Sequence, residues 1–318
     1  MLMRSLAGIV AFIVAMAAVP LFVESGYWLN AIIMTLYATL LGQAWNVLAG
    51  FGGQFSFGHA VFFGTGAYAM SVLQVKFGWN AWAALPVALA AGAAVGAAIG
   101  ALSFRYGLKG SYFALVTLAF AEVFRILANT FEFTGAGVGL MVPLKESARD
   151  LQFASRAGYL WAILACVAVG FLVHWWLRHS RYGAWLQAVR DNESSAAALG
   201  VDVFRVKLAA IVISGAMMSA GGAFYVQYLH YIDPHIAYGP GVSVEALVGP
   251  IVGGLGTVWG PLLGATVLHL LAEATRGFMG DAPGINLVVY GAVLILMVMF
   301  LPRGIIGLFD RLKAKRDA

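Results

Sequence analysis

Charge is scarce in this sequence. Only 10% of its 318 residues are Asp, Glu, Lys or Arg, while 62% are apolar. Soluble domains carry about 25% charged residues, so an aqueous surface around the whole chain is excluded. Cysteine is nearly absent. Cys166 stands alone inside an apolar run, which excludes an intrachain disulfide and a cysteine metal cluster and leaves it a small packing residue. No G-x-x-x-x-G-K-[ST] phosphate loop occurs. Gly107-Leu108-Lys109-Gly110 lacks the glycine spacing and the hydroxyl after Lys, so any ATP coupling must come from a partner. The six His residues are scattered with no H-E-x-x-H cluster. Ser56 and His59 share a segment, but no orienting carboxylate or G-x-S-x-G turn accompanies them, which counts against a hydrolase. No Asp stands clearly within an apolar run, which counts against an ion-coupled secondary transporter. No catalytic residue, metal or cofactor is expected.

What is abundant is apolar runs near the length of a bilayer crossing. Ten candidate spans cover about residues 5–23, 28–49, 57–75, 80–102, 110–129, 158–177, 207–228, 242–254, 257–275 and 284–301. The alternation of a membrane barrel is missing, so the spans are helices. Gly, at 39 residues, is scattered through them and suits close helix packing in lipid. The expected fold is an all-α polytopic membrane protein with one domain over residues 1–318. The eighth span carries Gly249, Pro250, Gly253 and Gly254 and reads as a half-helix or re-entrant segment. The first span, with Arg4 before it and Ala15-Met16-Ala17 within it, also has the pattern of a cleavable signal peptide.

The net charge of +5 does not imply nucleic acid, because the basic residues sit at the ends of apolar runs. Placing the N-terminus in the cytoplasm puts Arg4, Arg105, Lys109, Arg178, Arg181, Arg190, Arg205 and Lys207 inside. Arg303, Arg311, Lys313, Lys315 and Arg316 join them, while Lys76, Lys145, Arg149, Arg156 and Arg276 fall outside. Segment 178–206 is then cytoplasmic, as is the tail 303–318, and segment 130–157 is external.

Four stretches carry information. Gly50 to Ala60, continuing to Tyr68, is glycine-rich and enters the bilayer, where exposed backbone needs protein or water partners. Gln54, Ser56 and His59 are therefore either lining residues of a substrate path or parts of a tight helix corner. In Lys109 to Arg125, Glu122 and Arg125 are i, i+3 on one helix and can pair, lining a path or bridging helices. Glu245 precedes a Gly-Pro break, either as a midplane site or at the outer water interface. Arg181 to Gly200 reads as a short amphipathic helix ended by Gly200, with Trp185, Val189, Ala196 and Leu199 on one side. It suits docking into a partner groove, the alternative being a helix lying on lipid headgroups.

Together these stretches resemble the LivM-type permease of branched-chain amino acid ABC importers. The pattern G-Q-x-S-x-G-H-A-x-F-x-G-x-G-A-Y is matched from Gly53 to Tyr68, and Y-F-A-[IL]-V-T-L-A-F-x-E from Tyr112 to Glu122. The coupling pattern R-x-G-x-x-x-x-A-[IV]-R-[DE]-[ND]-E-x-x-A-x-x-L-G runs from Arg181 to Gly200, and G-x-G-[ST]-x-x-G-P-x-x-G-A from Gly254 to Ala265. The family's T-G-G-x-x-G-[LI] run departs here to Thr134-Gly135-Ala136-Gly137-Val138-Gly139-Leu140. The resemblance implies a multi-pass permease of the bacterial inner membrane with a cytoplasmic coupling helix. Its implied partners are a second homologous permease, two ATPase subunits and a periplasmic substrate-binding protein. The coupling residues it implies are Arg190, Asp191, Asn192, Glu193, Ala197, Leu199 and Gly200. The candidate pathway residues are Gln54, Ser56, His59, Tyr112, Thr117, Glu122, Arg125 and Glu245. The expected cargo is a branched-chain amino acid, with urea or short amides as the alternative within the same role.

Overall fold

The computed structural model describes residues 2–145 and 147–279, with positions 288, 291, 292, 295, 299 and 304–307 beyond them. The described residues are mostly helical. In order, the helices are α1 (Leu2–Phe22), α2 (Gly26–Asn46), α3 (Ala60–Val75), α4 (Ala81–Arg105), α5 (Gly110–Thr130) and α6 (Arg156–His179). They continue with α7 (Arg181–Asp191), α8 (Glu193–Ala198), α9 (Val203–Leu229), α10 (Pro234–Tyr238), α11 (Pro240–Gly253) and α12 (Gly260–Met279). Helix α2 widens into a π-helical turn over Val47–Phe51 before the chain breaks. Six helical stretches among the described residues are long and apolar enough to cross a membrane: Gly26–Phe51, Ala81–Arg105, Gly110–Thr130, Arg156–His179, Val203–Leu229 and Pro234–Gly253. Shorter apolar helices run over Leu6–Phe22, Ala60–Val75 and Gly260–Ala274. The chain is therefore an all-α polytopic membrane protein. The span expected near 284–301 and the tail 303–318 fall almost wholly outside the described residues.

Two expectations need correction. The eighth span is not broken at Gly249-Pro250: α11 runs through Pro250 and ends only at Gly254, whose φ of 137° leaves the helical region. Pro250 removes one backbone donor, and its ring packs on Gly42 of α2, where a side chain would stand 3.1 Å from Pro250 Cδ. The segment after Arg181 is two helices rather than one. Asn192, with extended backbone at φ −160° and ψ 106°, ends α7, and its side chain accepts from Ser195 N at 2.9 Å to cap α8.

Glycine decides how closely the core helices approach. Gly92, Gly96 and Gly100 share one face of α4 at a spacing of four. A side chain on Gly92 would collide with Ser219 Oγ, and one on Gly96 would stand 2.9 Å from Ile211 O. Helix α4 thus meets α9 backbone to backbone, as small residues permit in lipid. Helix α2 lies at the centre, with Leu40, Leu41, Ala44 and Trp45 at most 1% exposed.

The ends of the bundle sort by charge. At one end lie the break after α2, the α7–α8 segment, the turn after α11 and Gly304, which packs on the backbone of Gly254. Arg105, Arg178, Arg181, Arg190, Arg205 and Lys207 stand at this basic end. At the other end a short antiparallel pair joins β1 (Leu140–Met141) to β2 (Tyr231–Ile232). His230 precedes β2 in the left-handed conformation, and burial holds its imidazole below the usual pKa.

Candidate functional site

The break after α2 is non-helical, and buried and exposed residues alternate along it. Gln54, Ser56 and Gly58 point into the protein, while Phe55 and Phe57 are 40% and 44% exposed. His59 begins the next helix and is wholly buried. Its Nδ1 lies 3.0 Å from Ser56 Oγ and its Nε2 2.8 Å from Ser214 Oγ of α9. Ser214 in turn donates to Ala44 O at 2.7 Å, and Trp45 Nε1 donates to Ser56 O at 2.8 Å. The broken backbone is satisfied in the same way. Ala60 N donates to Ser243 Oγ of α11 at 3.0 Å, and Phe57 N donates to Thr117 Oγ1 of α5 at 3.2 Å. A non-helical segment at membrane depth needs such partners. Ser56, His59 and Thr117 hold the break in place, and the surface beside it is supplied by Phe55 and Phe57. Those two rings are not among the expected pathway residues, because in a glycine-rich turn the polar Gln54, Ser56 and His59 draw the reading instead.

Helix α5 presents a stripe at helical spacing. Leu115, Leu118 and Ile126 are 60%, 38% and 51% exposed, and Glu122 lies between them. Arg125 grips Glu122 with two hydrogen bonds, Nε to Oε2 at 2.8 Å and Nη2 to Oε1 at 2.5 Å. The side chains are 54% exposed for Glu122 and 23% for Arg125. The opposite face of α5 packs through Phe113, Thr117 and Ala121. Tyr112, one turn from the basic end of this helix, is 74% exposed. Glu245 is half-buried one turn into α11, and Val244 beside it is 36% exposed.

At the basic end, α7 turns several groups inward. Arg190 Nη1 donates to Gly50 O at 2.9 Å, in the π-helical turn, and its Nε to Asp191 Oδ1 at 3.1 Å. Asn46, fully buried, ties that turn to the break after α11: its Nδ2 donates to Thr257 O at 3.0 Å, and its Oδ1 accepts from Gly256 N at 2.9 Å. Tyr182 donates to Val206 O at 2.9 Å, and burial raises its phenol above the ordinary range. Glu193 of α8 forms an ion pair with Lys207 of α9, whose side chain is 4% exposed. Lys207 Nζ also lies 5.4 Å from the centroid of the Phe104 ring, and Phe104 stacks on Phe113 of α5 at 5.1 Å. The expected single apolar side of this segment is divided. Val189 and Ala196 are 1% and 2% exposed and pack inward, while Trp185 and Leu199 are 49% and 85% exposed. Asp191, Asn192, Ala197 and Gly200 are also exposed. Lys207 is expected only as one of the basic residues of the cytoplasmic end, and Asn46 is not among the expected site residues, although a polar residue inside an apolar run is the signal that finds it.

The sequence profile of the family described as "Branched-chain amino acid transport system / permease component" matches residues 27–298. The chain belongs to this family. It is 29% identical to the high-affinity branched-chain amino acid transport system permease protein LivM of Escherichia coli (strain K12), over 98% of this chain and 77% of that protein. Similarity to LivM of Salmonella typhimurium is 29% over 94% of this chain and 74% of the relative. Similarity to the E. coli permease protein LivH is 26%, over 52% of this chain and 58% of LivH. No solved structure matches. The chain is thus a permease component and a multi-pass membrane protein.

Proposed function

We propose that this chain is one of two homologous permease subunits of an ATP-driven importer in the bacterial inner membrane, passing branched-chain amino acids delivered by a periplasmic binding protein. The observation that carries the reading is the exposed Glu122–Arg125 pair partway along α5. A charged side chain at the bilayer centre costs about 2.5–3.5 kcal/mol on insertion scales, so this face needs protein or water against it rather than lipid. A second permease set across the α5 stripe supplies both. The enclosed path would have Phe55, Phe57 and Leu118 for an aliphatic side chain. The opposite charges of Glu122 and Arg125 complement the ammonium and carboxylate of a zwitterion, which favours an amino acid over uncharged urea or a short amide. A homologous second subunit is supported by similarity to both LivM and LivH.

The basic end faces the cytoplasm by the positive-inside rule. There α7 and α8 act as the coupling segment, presenting Asp191, Asn192, Ala197, Leu199 and Gly200 to two ATPase subunits that hold the ATP sites. Arg190 and Glu193 face the permease instead and carry the movement inward, Arg190 to the turn of α2 and Glu193 to Lys207. The opposite end, around β1 and β2, receives the binding protein. Closure of the ATPase dimer would move α7–α8 and shift the path between outward and inward access.

The test is uptake of labelled leucine into ATP-loaded vesicles holding this chain, a partner permease, ATPases and binding protein. Uptake that requires both this chain and ATP, and that excess valine or isoleucine suppresses, is the expected result. An assembled complex that moves urea but not leucine would overturn the substrate, and uptake surviving an inactive ATPase would overturn the energy source.

A further inference from the structure

An apolar cavity of about 590 Å³ lies between α4, α6 and α9. Its walls include Leu89 of α4, Cys166 and Val169 of α6, and Ala216 and Ala220 of α9, and no Asp, Glu, Lys or Arg among the described residues lines it. Val169 is also 56% exposed, so the cavity opens sideways at bilayer depth. Towards the end of the bundle that carries β1 and β2 it meets a more polar hollow that includes Ser155 and Trp161, with Trp82, Ala162 and Ala165 lining both. Trp82 and Trp161 are 54% and 50% exposed, and their indole N–H groups donate to Ala148 O and Ala17 O, at 2.9 and 3.1 Å. Tryptophan half in and half out marks the headgroup level of a membrane. Gln227 of α9 lines the cavity two residues before that helix ends. It is 3% exposed, and neither its amide nitrogen nor its amide oxygen has a hydrogen-bond partner among the described residues. Buried amides are normally paired, so this one points to an occupant.

Size and charge choose the occupant. A membrane-spanning helix about 10 Å wide and 30 Å long fills roughly 2,000 Å³, several times the space here. A zwitterionic amino acid would find no charged partner in these walls. We propose that the groove holds one acyl chain of a membrane phospholipid, with Gln227 Nε2 donating to an ester carbonyl at the end of the groove nearest β1 and β2. The lipid chain then completes the packing between α4 and α6, and its headgroup lies beside Ser155 and the two tryptophans.

The full chain would be reconstituted in vesicles of phosphatidylethanolamine and phosphatidylglycerol carrying a trace of phosphatidylethanolamine with a diazirine midway along one acyl chain. After irradiation, adducts are mapped by peptide mass spectrometry. Adducts at Cys166, Ala216 and Ala220 several-fold more frequent than at the exposed Val10 and Val14 of α1 are expected. Equal labelling of groove and α1 would overturn the proposal, and this comparison needs no variant. Ala220→Trp fills the groove and is expected to remove its adducts while leaving those on α1; persistence of the groove adducts would overturn it. Gln227→Met keeps the side-chain length and is expected to lower groove labelling several-fold. Unchanged labelling there would remove the amide from the assignment.

Discussion

Helices α4 and α5 follow one another in the chain and bury the same share, 28%, of their most apolar stretches. Their exposed faces are nevertheless different materials. Among the exposed residues of α4 before its basic end are Trp82, Val87, Ala94 and Leu102, a surface that lipid can wet. Helix α5 exposes Leu115, Leu118 and Ile126 with an ion pair set among them. The buried faces differ too. Helix α4 meets α9 through glycines with no room for a side chain, whereas α5 packs through Phe113, Thr117 and Ala121 against a loop and the ends of other helices. Burial alone therefore does not rank the two. Helix α4 is framework, with one face welded to α9 and the other left to lipid. Helix α5 packs through side chains rather than backbone, and its exposed face carries a charged pair.

The largest effect should come from breaking the framework. In Gly92→Leu the new side chain meets Ser219 and the backbone of Gly215, neither of which can yield without separating α4 from α9. Overpacking costs about 1–3 kcal/mol where side chains can adjust, and more is expected against backbone. Loss of the protein from the membrane fraction is the expected outcome, while Ala94→Leu on the exposed face leaves the level unchanged. Equal amounts of both variants would show that the seam is not what holds α4.

Next is the link from α8 to the bundle. Removing Glu193 leaves Lys207, 4% exposed, without its counter-charge, and because Glu193 itself is 31% exposed the cost falls below the about 3–5 kcal/mol of a fully buried pair. Glu193→Arg sets a like charge against Lys207 and is expected to leave protein in the membrane while ATP hydrolysis no longer drives uptake. The exchange Glu193→Lys with Lys207→Glu restores the opposite charges and should recover part of the coupled uptake. Equal failure of the single and exchanged variants would assign Glu193 to the ATPase surface instead of to Lys207.

A smaller effect is expected from making α5 resemble α4. Glu122→Leu with Arg125→Leu removes the pair from an exposed face, so thermal stability in detergent should change little. Leucine uptake should fall several-fold. If uptake is unchanged, the α5 face does not line the path and the contrast between the two helices loses its functional meaning.

Much of this contrast was legible in the sequence, unevenly. Nine of the ten expected apolar runs coincide with helices among the described residues, because length and hydropathy set them. The Glu122–Arg125 pair follows from i, i+3 spacing on one helix and is present. The partner of Lys207 could not be read, since Glu193 lies across a turn and only the packing of α8 on α9 brings them together. The inward set of Ser56 and His59 is the tight-corner alternative of two readings, and only the packing of α3 on α9 decides between them. Pro250 misled for a physical reason: proline disfavours a helix interior, but one lost hydrogen bond does not end a helix whose faces are held by α2 and α12. Asn192 was the reverse, a cap residue inside a run that otherwise reads as one helix.

The smallest expected effect lies where the two helices touch. Phe104 closes α4 at the basic end and stacks on Phe113 of α5, with Lys207 above the Phe104 ring. Such an aromatic pair contributes about 0.5–1.5 kcal/mol beyond its buried area, and the cation adds about as much again where it is shielded from water. Phe104→Leu keeps most of the apolar volume, so the protein should accumulate normally and lose only a few degrees of thermal stability. If the Glu193–Lys207 pair moves α5 through this stack, Phe104→Leu should also lower uptake per ATP hydrolysed by a small factor. Combined with Lys207→Met it should then lower it no further, because both changes cut one connection. Losses that multiply would mean that α5 receives its movement by another route, the nearest being Arg190 through the turn of α2 to the break that Thr117 holds.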